Sequence, residues 1–396
     1  VNLDRDESIR TLQRLVQFDS RTETPGESEV VEYVAERMSA HGLGTRLVDA
    51  GEGRLNAVGV WKGHGRGPRL MFNGHLDTNH VGEGWTVDPW EGRVADGHIY
   101  GIGVSNMKAG CAAYLRAVEE LAAEGFQPAG DVVLTHVVGE LQNGIGTLAL
   151  LQDGWSADFF INCEPTDLAA MTMHAGSINF RVVLRGRTRH LSKREEAVDV
   201  IPAAMALVPM LNGLVFSGAE DPDHRAVNRC HIGLVRAGIG ESLDESRPPQ
   251  IADVAHLTGS ARFAPGQTVA GVLEDIRREA AAVQDLIPGL HVEVLWLDEI
   301  QKRPYFPPFE AHTDSLLVRT LNQEWADLRG ASQPTGLLFP SSFFGSDAAH
   351  LAATGMPGVV CGPGGQFNTM PDERVAVDDY LDAIQLYKRV IVRLCG

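Results

Sequence analysis

Several things that a chain of 396 residues can carry are missing here, and each absence excludes a class of function. No apolar run approaches the roughly 20 residues that a membrane-crossing helix needs. Positive charge is scarce, with 34 Lys and Arg against 52 Asp and Glu, and the formal net charge is -18 at pH 7. That balance disfavours nucleic acid and anionic membrane as partners, both of which are bound through excess positive charge. Cysteine is sparse too. Cys111, Cys163, Cys230, Cys361 and Cys395 stand far apart with no Cys-x-x-Cys pair, so neither a zinc knuckle nor a disulfide framework is indicated. A reducing cytoplasm is the expected compartment. Cys163, although next to Glu164, reads as a small buried core residue. There is no internal repeat and no low-complexity segment. Over residues 1–20, Ile9, Leu12, Leu15, Val16 and Phe18 fall at helical intervals between charges, which is unlike a secretory leader.

The rest is ordinary for a globular protein: 44% hydrophobic and 22% charged residues, over a length that suggests two domains. Amphipathic helices are expected over residues 6–19 and 26–41, followed by short strands at 45–49, 56–61 and 69–73. A helix over 108–123, a strand at 131–138, a helix from about 146 and a strand at 157–163 continue the pattern. Strands alternating with helices indicate an α/β sheet covered on both faces. Near Gly176 the order changes. Residues 178–298 read strand, helix, strand, strand, helix, strand, the ferredoxin-like β-α-β-β-α-β sequence. The chain then returns to α/β character, with a helix over 314–328, a strand at 358–361 and a closing helix over 378–394. The stretches 214–227 and 303–309 read as turns or hinges by composition.

Chemistry concentrates where an apolar run ends, in Arg69-Leu70-Met71-Phe72-Asn73-Gly74-His75-Leu76-Asp77-Thr78. Alternation along a strand puts His75 and Asp77 on one side, at the end of what should be a buried strand. An imidazole there can be a metal ligand and a nearby carboxylate its orienting partner; a hydrogen-bonded polar pair is the plainer alternative. Downstream stand Trp85, Asp88-Pro89-Trp90, Asp96-Gly97, Tyr100-Gly101-Ile102-Gly103 and Asn106-Met107-Lys108-Ala109-Gly110. Further on come Gly362-Pro363-Gly364 and Pro371-Asp372-Glu373.

Together these resemble the zinc aminoacylase and carboxypeptidase family that includes acetylornithine deacetylase, succinyl-diaminopimelate desuccinylase and carboxypeptidase G. The resemblance spans almost the whole chain. It implies a mixed sheet flanked by helices, as in zinc exopeptidases, with an inserted ferredoxin-like lid and dimerisation domain. Residues 1–176 with 299–396 would form the catalytic domain and 177–298 the lid.

In the enzymes resembled, two zinc ions share a bridging aspartate. His75 and Glu164 match the histidine and carboxylate of one ion. The bridging aspartate is Asn106 here, and the second ion's glutamate and histidine correspond to Leu141 and Asn368. Gly139 stands where the family has an aspartate. Leucine offers no ligand and a neutral amide is a poor one for zinc, so the resemblance implies loss of the metal centre. Other parts of the family's machinery match: Glu140 its general base, His190 the lid histidine that completes a partner's site, and Arg262 the arginine that holds a substrate carboxylate. The asparagine often found upstream of that arginine falls at Pro249. A salt-bridged Arg262, a surface His190 and a Glu140 that caps a helix are the structural alternatives.

The expectation drawn is therefore an enzyme without metal or other cofactor. It would act at an amide or acyl centre of a small carboxylate-bearing substrate by acyl transfer, ring closure or proton abstraction, with Glu140 as base. His75 and Asp77 would assist catalysis, and Asn106, Glu164, Arg262 and Asn368 would contact substrate. A homodimer through the lid is expected, with no nucleic acid or membrane partner. The alternatives are a mononuclear zinc hydrolase of N-acyl amino acids or small peptides, and a non-catalytic ligand-binding homologue.

Overall fold

The computed structural model describes residues 3–396; Val1 and Asn2, the start of the first amphipathic stretch, lie outside them. Strand Leu70–His75 is buried at all six positions, as is strand Val132–Val137. A strand covered on both faces reads as an apolar run rather than an alternation, as Leu70-Met71-Phe72 and Val132-Val133-Leu134 do, and the buried Asn73 and Thr135 that follow satisfy each other by a hydrogen bond of 3.1 Å. They pair in parallel, His75 opposite Val137, and Leu70–His75 also pairs in parallel with Phe159–Asn162.

These three strands form the centre of a nine-stranded mixed sheet. From one edge the order is Gly44–Asp49, Leu55–Trp61, Val132–Val137, Leu70–His75, Phe159–Asn162, Gly358–Val360, Ala170–His174 and Phe309–Glu310, with Thr335–Leu337 beside Ala170–His174. Helices Ala109–Ala123 and Val377–Cys395 cover the sheet with one core, in which Phe72 packs against Tyr114 and Tyr387 at ring-centroid distances of 5.7 and 5.2 Å. The N-terminal helix Arg5–Val16 starts at Asp4, whose carboxylate accepts the Glu7 N–H at 2.9 Å, and it buries Leu12, Leu15 and Val16.

The chain divides into two compact units. The first comprises residues 1–173, 309–341 and 346–396, and the second residues 174–308 with 342–345. In the second, an antiparallel sheet runs Arg229–Gly238, Val254–Phe263, Gly176–Arg185, His291–Trp296. Helices Val200–Asn212 and Val269–Leu286 share its hydrophobic core. The latter is capped by Thr268, whose hydroxyl accepts the Gly271 N–H at 3.2 Å, and its apolar stripe Val272, Leu273, Ile276, Ala280 and Val283 faces inward.

Several features of the first unit went unread in the sequence, among them the short strands Phe309–Glu310 and Thr335–Leu337, the helix Ala348–Ala353, one further strand and a small separate sheet. Strand Ala170–His174 contains neither a β-branched run nor a flanking turn signal, only Ala-Met-Thr-Met-His, so β-propensity gave no cue. A small sheet of Arg374–Ala376, His98–Tyr100 and Val94–Ala95 turns at Asp96-Gly97. Both turn residues have positive φ, 48° and 74°, as a two-residue hairpin demands. In the second unit the stretch expected to be only loop, 214–227, carries the short helix Pro222–Ala226.

Candidate metal centre

Three neighbouring parallel strands end at one edge of the large sheet, and each delivers one acid or imidazole. His75 is the last residue of the central strand, Glu164 follows Phe159–Asn162 by two residues, and Glu140 follows Val132–Val137 by three. The carboxyl ends of such strands are where open α/β sheets assemble their sites. His75 Nε2 lies 3.6 Å from a Glu164 oxygen and 3.9 Å from a Glu140 oxygen. One ligand atom from each of the three residues lies within 4.8 Å of the others, and all three side chains are buried.

The hydrogen-bond pattern fixes which imidazole nitrogen faces this space. Nδ1 lies 2.9 Å from the Asp77 main-chain oxygen and 3.5 Å from its carboxylate, so Nδ1 carries a proton and donates. Nε2 is turned toward oxygen only: the Asn106 Oδ1 at 3.1 Å and the two glutamates. A lone pair facing three oxygens is repelled unless a cation lies between them or the ring takes a second proton. Accordingly, although burial alone would lower it, the surrounding Asp77, Glu164 and Glu140 raise the His75 pKa well above the ordinary value.

Asp77 does more than orient His75. Its carboxylate accepts the N–H groups of Glu140 and Leu141, each at 3.3 Å, and so fixes the turn that aims Glu140. These bonds and His75 outweigh burial and hold Asp77 below its ordinary pKa. Glu140 and Glu164 are pushed up by burial, with neighbouring carboxylates adding to the rise and His75 opposing it. Among the described residues neither forms an ion pair with lysine or arginine. The donors thus fit a divalent cation: one deprotonated imidazole nitrogen and two carboxylates, in a pocket with surplus negative charge.

This geometry overturns the expectation of a metal-independent enzyme. That expectation counted His75 and Glu164 as two isolated survivors and gave Glu140 the role of base alone. The parallel register brings Glu140 to the same point as the other two, so a complete one-ion donor set remains.

The other residues singled out in the sequence distribute as follows. Asn106 lies beside His75, held by Glu373, whose carboxylate accepts the N–H groups of Gly103, Ser105 and Asn106 at 3.1, 2.9 and 2.9 Å. Leu141 donates its amide to Asp77 and has no ligating group. Asn368 is half-buried in the loop after Gly364, and no hydrogen bond joins it to the three ligands among the described residues. Cys163 is fully buried.

His190 and Arg262 belong to the second unit. His190 is exposed, with Nδ1 3.0 Å from the Ser192 hydroxyl. Arg262 donates to the Phe343 main-chain oxygen at 3.0 Å, to the Ser260 hydroxyl at 2.7 Å and to the Ser177 hydroxyl.

The sequence pattern that defines peptidase family M20/M25/M40 matches residues 71–393. The chain belongs to that family. Among similar proteins, this M20-family chain is 29% identical over 280 residues to succinyl-diaminopimelate desuccinylase 2 of Ruegeria sp., a match covering 67% of this chain and 68% of that protein. Two solved structures share its fold: a tripeptidase from Staphylococcus aureus, with TM-score 0.79, 21% identity and coverage of 99% and 98%, and an M20 family metallo-carboxypeptidase from Sulfolobus solfataricus, with TM-score 0.79, 16% identity and 98% coverage of both chains.

Two further residues of this M20-family site went unnoticed in the sequence. Glu373 was read only as part of a family motif. Asp347 stands in front of Ala348-Ala349-His350-Leu351, where an acid reads as a helix cap. It does not cap the helix: its carboxylate is fully buried, and neither oxygen has a hydrogen-bond partner among the described residues. Burial pushes its pKa up to about 7, offset in part by the nearby Thr147 hydroxyl and by His75.

Proposed function

We propose that the chain is a metal-dependent amidohydrolase with a single divalent ion of the zinc type. It cleaves the acyl–nitrogen bond of a small carboxylate-bearing substrate, an N-acyl amino acid or a short peptide. The observation that carries this reading is the convergence of His75, Glu140 and Glu164 from three adjacent strand ends. Membership of the peptidase family and the similarity to a desuccinylase support the reaction class.

His75 Nε2 and the carboxylates of Glu164 and Glu140 would hold the ion. Such an ion, when bound, polarises the scissile carbonyl and makes water more acidic. Glu140 is the most exposed of the three side chains, at 9% against 1% and 5%, and so the one best able to meet incoming water. It takes the proton of the attacking water and returns it to the leaving nitrogen. Asp77 keeps the His75 proton on Nδ1 and the Glu140 turn in place. Arg262 binds the substrate carboxylate, a task suited to its planar donor fork, and Asn106 and Asn368 line the acyl side.

His190 completes the site of a second copy in a homodimer formed through the second unit. Two features of that unit support this. Strand Arg229–Gly238 is an edge strand, and its Leu234 and Val235 are exposed, as is Met205 on the neighbouring helix.

The test is to strip the protein with a chelator, read metal uptake, and assay N-succinyl and N-acetyl amino acids and tripeptides with and without added zinc. Chelation should abolish turnover and zinc should restore it. Glu140→Gln should lower turnover by roughly 100-fold or more. Full turnover after chelation, with no uptake of zinc, would refute the proposal.

A further inference from the structure

Four buried carboxylates face the single imidazole of the site: Asp77, Glu140, Glu164 and Asp347. The first three have partners already described. Asp347 has only the nearby Thr147 hydroxyl, with no hydrogen bond of ordinary geometry to either oxygen among the described residues, although it is 0% exposed and precedes helix Ala348–Ala353, where an aspartate would ordinarily accept a helix amide. The Ser346 hydroxyl takes the Ala348 N–H instead, at 3.3 Å. The Asp347 carboxylate is turned inward, against the turn that follows Glu140. A Cβ added to Gly144 would stand 2.5 Å from its Oδ1, and Gly144 has a φ of +81°, so the close approach depends on glycine in two ways.

An ionised carboxylate with both oxygens buried and unpaired is unfavourable in the folded chain unless a positive charge offsets it. Asp347 interacts electrostatically with His75 and the carboxylates of Glu164, Asp77 and Glu140; the His350 imidazole beside the same Gly144 is held below its ordinary pKa by burial, and no arginine or lysine pairs with Asp347 among the described residues. We infer that Asp347 is the fourth acidic member of the metal site, a positioning residue whose buried charge raises the site's affinity for a divalent cation. It lies outside the group of three whose ligand atoms converge, so it acts on the ion through the field and through the Glu140 turn. This inference rests on the single-ion reading above.

The two possible roles of Asp347 give opposite signs in one experiment. Metal-free protein is titrated with Zn2+ and with Mn2+ in competition with a chromophoric chelator, and the thermal midpoint is recorded with and without each metal. Asp347→Asn should bind both metals at least tenfold more weakly. Its metal-free midpoint should lie above that of the metal-free wild type, because an uncompensated charge is gone, and metal should raise it less. A residue that merely supports the fold predicts the reverse: a lower metal-free midpoint and unchanged affinity. Asp347→Ser repeats the measurement without an amide of the same shape. Equal affinity in wild type and both variants overturns the inference alone. Failure of the wild type to take up either metal overturns the single-ion reading and the inference with it.

Discussion

Lowering the pH from 7 to 5 should cost the folded chain about 2 kcal/mol through one side chain, His136, and His136→Asn should remove that cost. His136 is fully buried on strand Val132–Val137, which leads to Glu140. The Tyr114 hydroxyl has one proton and gives it to the Thr135 main-chain oxygen at 3.0 Å. His136 Nδ1, 2.9 Å from the same hydroxyl, therefore donates to it, and Nε2 is left buried with no partner. A proton on Nε2 would be a charge without an acceptor, and burial holds the imidazole pKa down to about 3 from the ordinary 6.5.

Because the folded value lies below the unfolded one, the unfolded chain takes up the proton first as pH falls. The stability that neutral His136 confers is complete above pH 6.5 and is lost steadily toward pH 3. Roughly 1.5 pH units separate 6.5 from 5, and at about 1.36 kcal/mol per unit the loss at pH 5 is about 2 kcal/mol. Asparagine cannot titrate, while its Nδ2–H can take over the bond to Tyr114. Urea unfolding of both proteins at pH 7 and pH 5, with chelator present throughout, isolates this effect, since every other titrating group is common to both. If the two proteins lose the same stability between the two pH values, within about 0.5 kcal/mol, the account of His136 is wrong.

Asn106→Asp places a charge where a neutral amide oxygen now lies 3.1 Å from His75 Nε2, and should tighten zinc binding by roughly tenfold or more in chelator competition; unchanged affinity would remove Asn106 from the site. Arg262→Ala should raise KM for a carboxylate-bearing substrate by about 10- to 100-fold while kcat stays within a few-fold, and Arg262→Lys should restore little, having lost the planar fork. If instead kcat falls with KM unchanged, the bonds of Arg262 to Phe343 and Ser260 are its whole role.

Periodicity made the large elements legible because burial and pattern coincide in them. Val269–Leu286 is bounded in the structure where its apolar stripe begins and ends, and Leu70–His75 opens on the apolar Leu70-Met71-Phe72 and reaches the site at its last residue. The hairpin at Asp96-Gly97 was missed because its strands are two and three residues long, too short for any alternation to register. His75, Glu140 and Glu164 were each picked out from the sequence, but as parts of a metal-free site, Glu140 as its base and Glu164 as a substrate contact, so a common role as ligands was not legible. What it withheld was their distance. Residues 75, 140 and 164 meet only because strand order places 132–137 and 159–162 on either side of 70–75, and neither order nor register can be read from local pattern. Asp347 was hidden by a local rule that fits its position and fails in its surroundings.

The same geometry accounts for how half of a two-ion centre can be lost without the rest. Relative to the two-zinc enzymes that the chain resembles, Asn106 and Leu141 replace carboxylates and Asn368 replaces a neutral imidazole. With Gly139 in place of a further aspartate, three negative charges are gone, and two positive charges would leave with the ion they held, so the net charge of the pocket would shift by only one unit. Losing the ion alone would have left unpaired buried carboxylates, and losing the carboxylates alone would have left an ion without ligands; either is costly in a pocket this deep. Removing both together would leave His75, Glu140 and Glu164 within one unit of the former charge balance, still able to face one cation. On the single-ion reading proposed above, the residues at 106, 141 and 368 fit a site contracted to one ion, and restoring any single one of them would disturb charge before it restored function.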